Sequence, residues 1–204
     1  MYTMSLRLFV CSVLFGAFSA CNPVPAPATH AQHGTHGSGY VDSVNNGSIT
    51  ADTLKGSPAR VSMATIGDNH IHITYHSPGV KGRVIWGGLV PYNQVWVTGA
   101  HSATTVSFSH PVTIAGNKVD AGTYAVFTIP GETTWKFLLN KNHRQHLTDE
   151  YNAGEDVLNI PVTPETVALT PRLTYAVQQD DEQSGSIIIT WEKKQLHIPF
   201  TNMP

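Results

Sequence analysis

Short apolar runs separated by turn residues fill the chain from residue 60 onward. Within the runs apolar and polar residues alternate, which is typical of strands with one buried face. Ile187, Ile189 and Trp191, for example, share one parity. The only helical candidate is a weak one over His143–Tyr151. The pattern predicts strands over Arg60–Ile66, Asn69–His76, Gln94–Thr98, Thr104–Ser109, Val112–Ala115, Thr123–Ile129, Thr134–Asn140, Asp156–Val162, Leu173–Gln179, Ser186–Glu192 and Gln195–Phe200.

So many short strands at regular spacing predict an all-β fold, namely a single antiparallel β-sandwich of the jelly-roll type. Gly116 and Asn117 form a two-residue hairpin signal between two of the runs. The 17 glycines and 13 prolines agree with a fold rich in turns. We expect this domain to span residues 58–204.

The N-terminus has the features of an export signal. Arg7 precedes a short apolar run from Leu8 to Phe18, and a membrane span would need about 20 apolar residues. Residues 1–20 are therefore predicted to be a signal peptide. The segment 18–21, Phe-Ser-Ala-Cys, resembles a bacterial lipobox, which predicts a lipid on Cys21 and a membrane-anchored lipoprotein facing the periplasm. The alternative is ordinary cleavage that leaves Cys21 as a free thiol.

Residues 21–57 are predicted to be a tether, because prolines alternate with small residues and no apolar periodicity appears before Ile49. This segment includes His30, His33 and His36 at a spacing of three. A flexible histidine tract can bind metal weakly, since its ligands lose entropy on ordering. It can equally be a hydrophilic spacer, and both interpretations stay open.

Charge and motif content exclude several classes of function. The 12 Lys and Arg residues against 14 Asp and Glu residues give a net charge of −2, which argues against a nucleic-acid partner. The sequence also lacks a nucleophile elbow, a His-Glu-x-x-His helix, a phosphate-binding Gly-Lys-Ser/Thr loop and a dinucleotide fingerprint. Without these, the sequence favours a binding protein over an enzyme.

Several motifs in fixed order resemble an exported bacterial family, domain-of-unknown-function family 2911. They are YHSPGVKGRVIWG at 75–87, LVPY at 89–92, VW at 95–96, TGA at 98–100, AGTY at 121–124, FTIP at 127–130 and Trp135. The resemblance spans roughly residues 60–200 and implies an exported β domain without a known reaction. Family members more often have Arg-Thr-Gly-Ala-Asn-Glu-Ala-Thr at positions 97–104. This chain lacks that Arg and Glu and has His101 instead, which makes a histidine-based site a candidate.

Eleven histidines are the most informative chemical feature. His70, His72 and His76 share one parity on a predicted strand, and His101 is a candidate further ligand. Imidazoles suit Zn²⁺ or Cu²⁺, so we expect a copper or zinc site at these four residues. The alternative is a solvated sheet face, because residues 71 and 73 have the opposite parity and would face the core. Single histidines such as His110 and His197 are more typical of the surface.

Lys81 and Arg83 flank a glycine in a predicted turn next to Tyr75. They could bind an anionic ligand or support the metal ligands, since Arg offers a bidentate fork to an anion. In the alternative, structural interpretation Arg83 pairs with a carboxylate such as Asp156.

Three functional hypotheses follow. The first is an envelope-anchored lipoprotein that binds a transition metal through clustered histidines. The second is a non-catalytic module that binds an envelope protein or a glycan through an aromatic patch at Trp86, Tyr92 and Trp96. The third is a metal-assisted hydrolase, which would need a carboxylate base beside the metal.

Overall fold

The computed structural model describes residues 38–204, so the predicted signal peptide, Cys21 and His30, His33 and His36 lie outside the described residues. The helix α1 and ten strands follow one another along the chain. Within residues 38–204, no helix is long and apolar enough to cross a membrane. The bounds are α1 Ser38–Asn45, β1 Ala59–Ile66, β2 Asn69–His76, β3 Thr105–Phe108, β4 Val112–Ile114, β5 Asn117–Val119, β6 Gly122–Ile129, β7 Trp135–Asn140, β8 Asp156–Val162, β9 Glu165–Gln179 and β10 Ser184–Asn202.

The strands form two antiparallel sheets. One has six strands in the order β1-β2-β3-β6-β7-β8, and the other has four in the order β5-β4-β10-β9. Alternate residues of both sheets turn into a shared core, as Ile71 and Ile73 of β2 do together with Ile187 and Ile189 of β10. The predicted all-β antiparallel fold is confirmed.

Strands β6 and β7 are buried on both faces. Val126 and Leu139 belong to the core between the sheets, whereas Phe127 and Leu138 belong to a second apolar cluster with Val97. The second cluster forms because the long connection between β2 and β3 returns along β6. There, residue 96 exchanges backbone hydrogen bonds with residue 128. This connection therefore brings residues 97–104 against the six-stranded sheet.

Some predicted elements differ from the structure. The strand expected at Gln94–Thr98 contributes only an isolated bridge through Trp96. The two final strands are one strand, β10, which continues through register shifts around Glu192, where φ is +54°. A bulge of this kind lets a strand bend without ending. The weak helix at His143–Tyr151 does not form, and residues 147–150 are turns.

Residues 38–57 correct the tether prediction, because they pack onto the domain. Val41 and Val44 of α1 are buried. Asn45 exchanges two hydrogen bonds with the backbone of Arg172, at 3.0 and 2.8 Å. The fully buried Arg172 guanidinium donates to Asp52 at 2.9 Å. Polar contacts of this kind do not recur at regular intervals along the chain. The pattern of hydrophobic residues therefore could not predict them.

Candidate functional site

Strand β2 separates apolar and polar side chains between its two faces. Ile71 and Ile73 are fully buried, whereas His70 is exposed and His72 is half-buried on the outer face. The two imidazole rings lie edge to face, with 6.2 Å between their centroids. The structure therefore brings this predicted pair together on the side of the sheet facing away from the core.

A second histidine pair forms at the other end of β2. His76 is the last residue of the strand and is half-buried, and His101 is exposed on the loop 98–104. Their ring centroids are 5.1 Å apart, with 81° between the ring planes. These two imidazoles come from separate parts of the chain.

The four predicted metal ligands form two pairs, and they do not form one cluster. His76 is six positions further along the strand than His70, which corresponds to about 20 Å between their Cα atoms. His101 accompanies His76, so it does not join His70 and His72 as expected from the sequence. Within residues 38–204, no three side chains of His, Cys, Asp or Glu converge closely enough to hold a metal ion.

Unusual backbone conformations cluster around His101. Thr98, His101 and Leu147 have φ angles of +50°, +62° and +46°, a region that residues other than glycine seldom adopt. Surrounding hydrogen bonds hold them there. The Tyr175 hydroxyl donates to the Thr98 carbonyl at 2.8 Å, and the Leu147 amide donates to the His101 carbonyl at 2.7 Å. Strain of this kind is often found at functional sites.

The environment of His76 favours its neutral form. Burial lowers the pKa of His76 below the ordinary 6.5, and the neighbouring His101 lowers this pKa further by charge repulsion. A metal ligand must be a neutral imidazole. His76 therefore becomes protonated only at a lower pH than an ordinary histidine.

The separation of the His76 and His101 rings fits a shared tetrahedral ion. With metal–nitrogen bonds of about 2.0–2.1 Å, each ring centroid lies about 3.2 Å from the metal. Two such rings at a tetrahedral angle have centroids about 5.2 Å apart, and the observed value is 5.1 Å. The separation of the two rings therefore equals the spacing of two imidazole ligands on one tetrahedral ion.

A polar loop lies beside His101. The loop 141–151 is joined to the loop 98–104 by a bridge between Ser102 and His146. His146 Nδ1 lies 3.0 Å from a carboxylate oxygen of Asp149. An open cavity of about 320 Å³ is lined by Ser102, His143, Arg144, Gln145, His146 and Glu150. This grouping could not be predicted, because nothing in the sequence indicates which loop pairs with residues 101–103.

Lys81 and Arg83 contact backbone carbonyls. Lys81 donates to the carbonyl of Leu54, and Arg83 donates to those of Val80, at 3.2 Å, and Gly79. These contacts join both cations to backbone oxygens and not to a carboxylate. The role of these two cations toward a ligand stays a prediction.

The proposed partner of Arg83 and the neighbouring tyrosine have other contacts. Asp156 accepts hydrogen bonds from Asn140 and Tyr151, each at 2.8 Å. The structure therefore corrects the expected pairing of Asp156 with Arg83. Tyr75 is buried in the core with its ring 4.7 Å from that of Tyr175, so it does not line the surface.

All four tryptophans of the chain meet in one cluster of edge-to-face and stacked rings, formed by Trp86, Trp96, Trp135 and Trp191. Trp86 and Trp96 are half-buried there. The aromatic patch expected for an interaction module is thus partly covered by its own rings. His110 and His197 are exposed.

Comparison with known protein families places the chain. Residues 57–200, more than half of the sequence, match the family described as a protein of unknown function, DUF2911. The chain belongs to this family. The match confirms the resemblance of the motifs, and the DUF2911 region comprises both sheets. No match was found among curated proteins or solved structures.

Proposed function

We propose that this DUF2911 protein binds a transition-metal ion, zinc or copper(II), through His76 and His101. The observation that carries the proposal is the 5.1 Å separation of their rings. Support also comes from the lowered pKa of His76 and from the strained backbone of His101. Two imidazoles leave the remaining coordination positions to water or to an incoming ligand.

A site with two protein ligands suits the exchange of a metal more than its permanent retention. Structural zinc sites have four protein ligands and are closed. In the proposed role, the protein is held at the envelope membrane by a lipid on Cys21 and buffers or delivers metal in the periplasm. The histidines of the tether would then collect ions at low affinity near the folded site.

The proposal is tested by titrating Zn²⁺ into the full chain, purified without an affinity tag, by isothermal calorimetry. His30, His33 and His36 are changed to Gln in every sample, so that the tether does not contribute. We expect one equivalent of zinc to bind, and we expect His76→Gln or His101→Gln to abolish that binding. A single ligand then remains, which cannot hold the ion at the concentrations used.

His197→Gln is the matched control, because His197 is an exposed histidine on β10 of the other sheet. It should leave zinc binding unchanged. Equal zinc affinity in the parent and in both site variants would overturn the proposal, and so would the absence of zinc binding in the parent.

A further inference from the structure

A thioether lies on the same sheet face as the other histidine pair. Met63 of β1 is the direct cross-strand partner of His72, and His70 lies two residues from His72 on β2. We propose that Met63, His70 and His72 form a copper(I) site. This site is separate from the one at His76 and His101, and it does not depend on that proposal.

The strand register places these three side chains on one face. Residues directly opposite in an antiparallel pair point to the same side, with Cβ atoms about 4.5–5.5 Å apart. On β1 the buried positions are Arg60, Ser62 and Ile66, which share one parity, so the half-buried Met63 has the outward parity. His70 and His72 have the outward parity on β2. A sulfur and two ring nitrogens thus border one small area of surface.

The ring centroids of His70 and His72 are 6.2 Å apart, which favours an ion with a low coordination number. With metal–nitrogen bonds of about 2.0–2.1 Å, two imidazoles on one ion have ring centroids about 5.2 Å apart in tetrahedral geometry. The same centroid separation is about 5.5 Å in trigonal geometry and about 6.4 Å in linear geometry. The observed separation lies between the trigonal and linear values. Copper(I), a d¹⁰ ion, commonly takes two or three ligands, whereas Zn²⁺ in proteins favours four.

The donor atoms agree with this choice. Thioether sulfur is a soft ligand that selects copper(I), and imidazole also binds copper. The hydroxyl of Thr65 lies 3.1 Å from Nδ1 of His70, which leaves Nε2 of that ring to face a metal. A partner at the other nitrogen is typical of metal-binding histidines. Met63 would complete a distorted three-coordinate site.

The test is a competition for copper(I) between the full chain and bathocuproine disulfonate under anaerobic conditions. In every sample Cys11 and Cys21 are changed to Ser and His30, His33 and His36 to Gln, because thiols and the tether would also bind copper. We expect Met63→Leu to weaken copper(I) binding by more than the roughly tenfold that losing an outer-sphere partner costs a metal site. His70→Gln and His72→Gln should each have the same effect.

Two controls separate ligation from structure. Met203→Leu changes the other described methionine and should leave the affinity unchanged. X-ray absorption at the copper edge should show a sulfur neighbour in the parent that Met63→Leu removes. Unchanged copper(I) affinity in Met63→Leu, or a parent spectrum without a sulfur neighbour, would overturn the proposal.

Zinc titration distinguishes this proposal from the previous one. Met63→Leu should not alter zinc binding at His76 and His101, and His101→Gln should not alter copper(I) binding at Met63. Loss of both zinc binding and copper(I) binding in either variant would contradict the existence of two separate sites.

Discussion

The two histidine pairs of strand β2 are built in different ways. His70 and His72 lie two residues apart, and the pleat of one strand places them together. His76 instead meets His101, which comes from a loop with strained backbone. The first pair is set by the local geometry of one strand. The second needs the tertiary structure, and the same packing that forms it lowers the pKa of His76.

This difference means that changes to the fold should affect the two pairs unequally. A substitution that loosens the loop 98–104 should disturb the His76–His101 pair and leave the His70–His72 pair intact. The predictions below use that asymmetry, beginning with the largest expected effect.

The largest effect is expected from Tyr175→Phe. This change removes the buried hydroxyl that donates to the carbonyl of Thr98 at 2.8 Å. We expect a loss of about 0.5–1.5 kcal/mol in the free energy of unfolding, the usual net contribution of a hydrogen bond. Chemical denaturation measures the loss, and calorimetry should show weaker zinc binding. Copper(I) binding at Met63 should not change, and equal weakening at both sites would contradict the asymmetry.

Glycine substitution should change the stability of the folded protein in opposite directions at the two histidine pairs. His101→Gly relieves a φ of +62°, which costs an L-residue about 1–2 kcal/mol, and introduces a glycine entropy cost of about 0.5–1 kcal/mol. We therefore expect a net gain of roughly 0.5 kcal/mol in stability. His70→Gly lies within a strand and should lose about 0.5–1 kcal/mol. Thermal unfolding of both variants at equal pH measures whether each is more or less stable than the parent. A loss of stability in both variants would refute this explanation.

The smallest effect concerns pH. Because the pKa of His76 is lowered in the folded state, the unfolded chain binds more protons between that lowered pKa and 6.5. The corresponding stability is present above pH 6.5 and is lost as the pH falls through the lowered pKa. His76→Gln should therefore flatten the acid side of the stability profile relative to the parent chain. Melting temperatures between about pH 8 and pH 5 measure this difference.

A related variant separates the two causes of the lowered pKa. In His101→Gln the charge repulsion is gone but burial remains, so NMR titration should show a His76 pKa closer to 6.5 and still below it. Burial is the larger cause. A return to the full ordinary pKa would show that His101, and not burial, controls this imidazole.

The alternation of apolar and polar residues along the chain was enough to predict the fold class and most of the strands. The inner parity of Ile71 and Ile73 also predicted correctly that His70 and His72 face away from the core. Prediction failed where polar contacts decide the structure. Arg172 anchors residues 38–57 through Asp52 and Asn45, and such single contacts leave no periodic trace in a sequence.

Only part of the candidate site could be predicted from the sequence. Residues on one strand could be grouped by parity, since successive side chains alternate between faces. The partner of His101 could not be chosen this way, because the long connection between β2 and β3 has no period. Only the path of residues 97–104 along β6 decides that His101 reaches His76.

By itself, the sequence determined an antiparallel β domain, its family and a strand with histidines on its outer face. These properties follow from alternation and local motifs, which short stretches of chain encode. The tertiary structure alone decided that His101 lies beside His76 and that the pKa of His76 is lowered. Those properties depend on distances between segments far apart in the chain, and packing sets such distances.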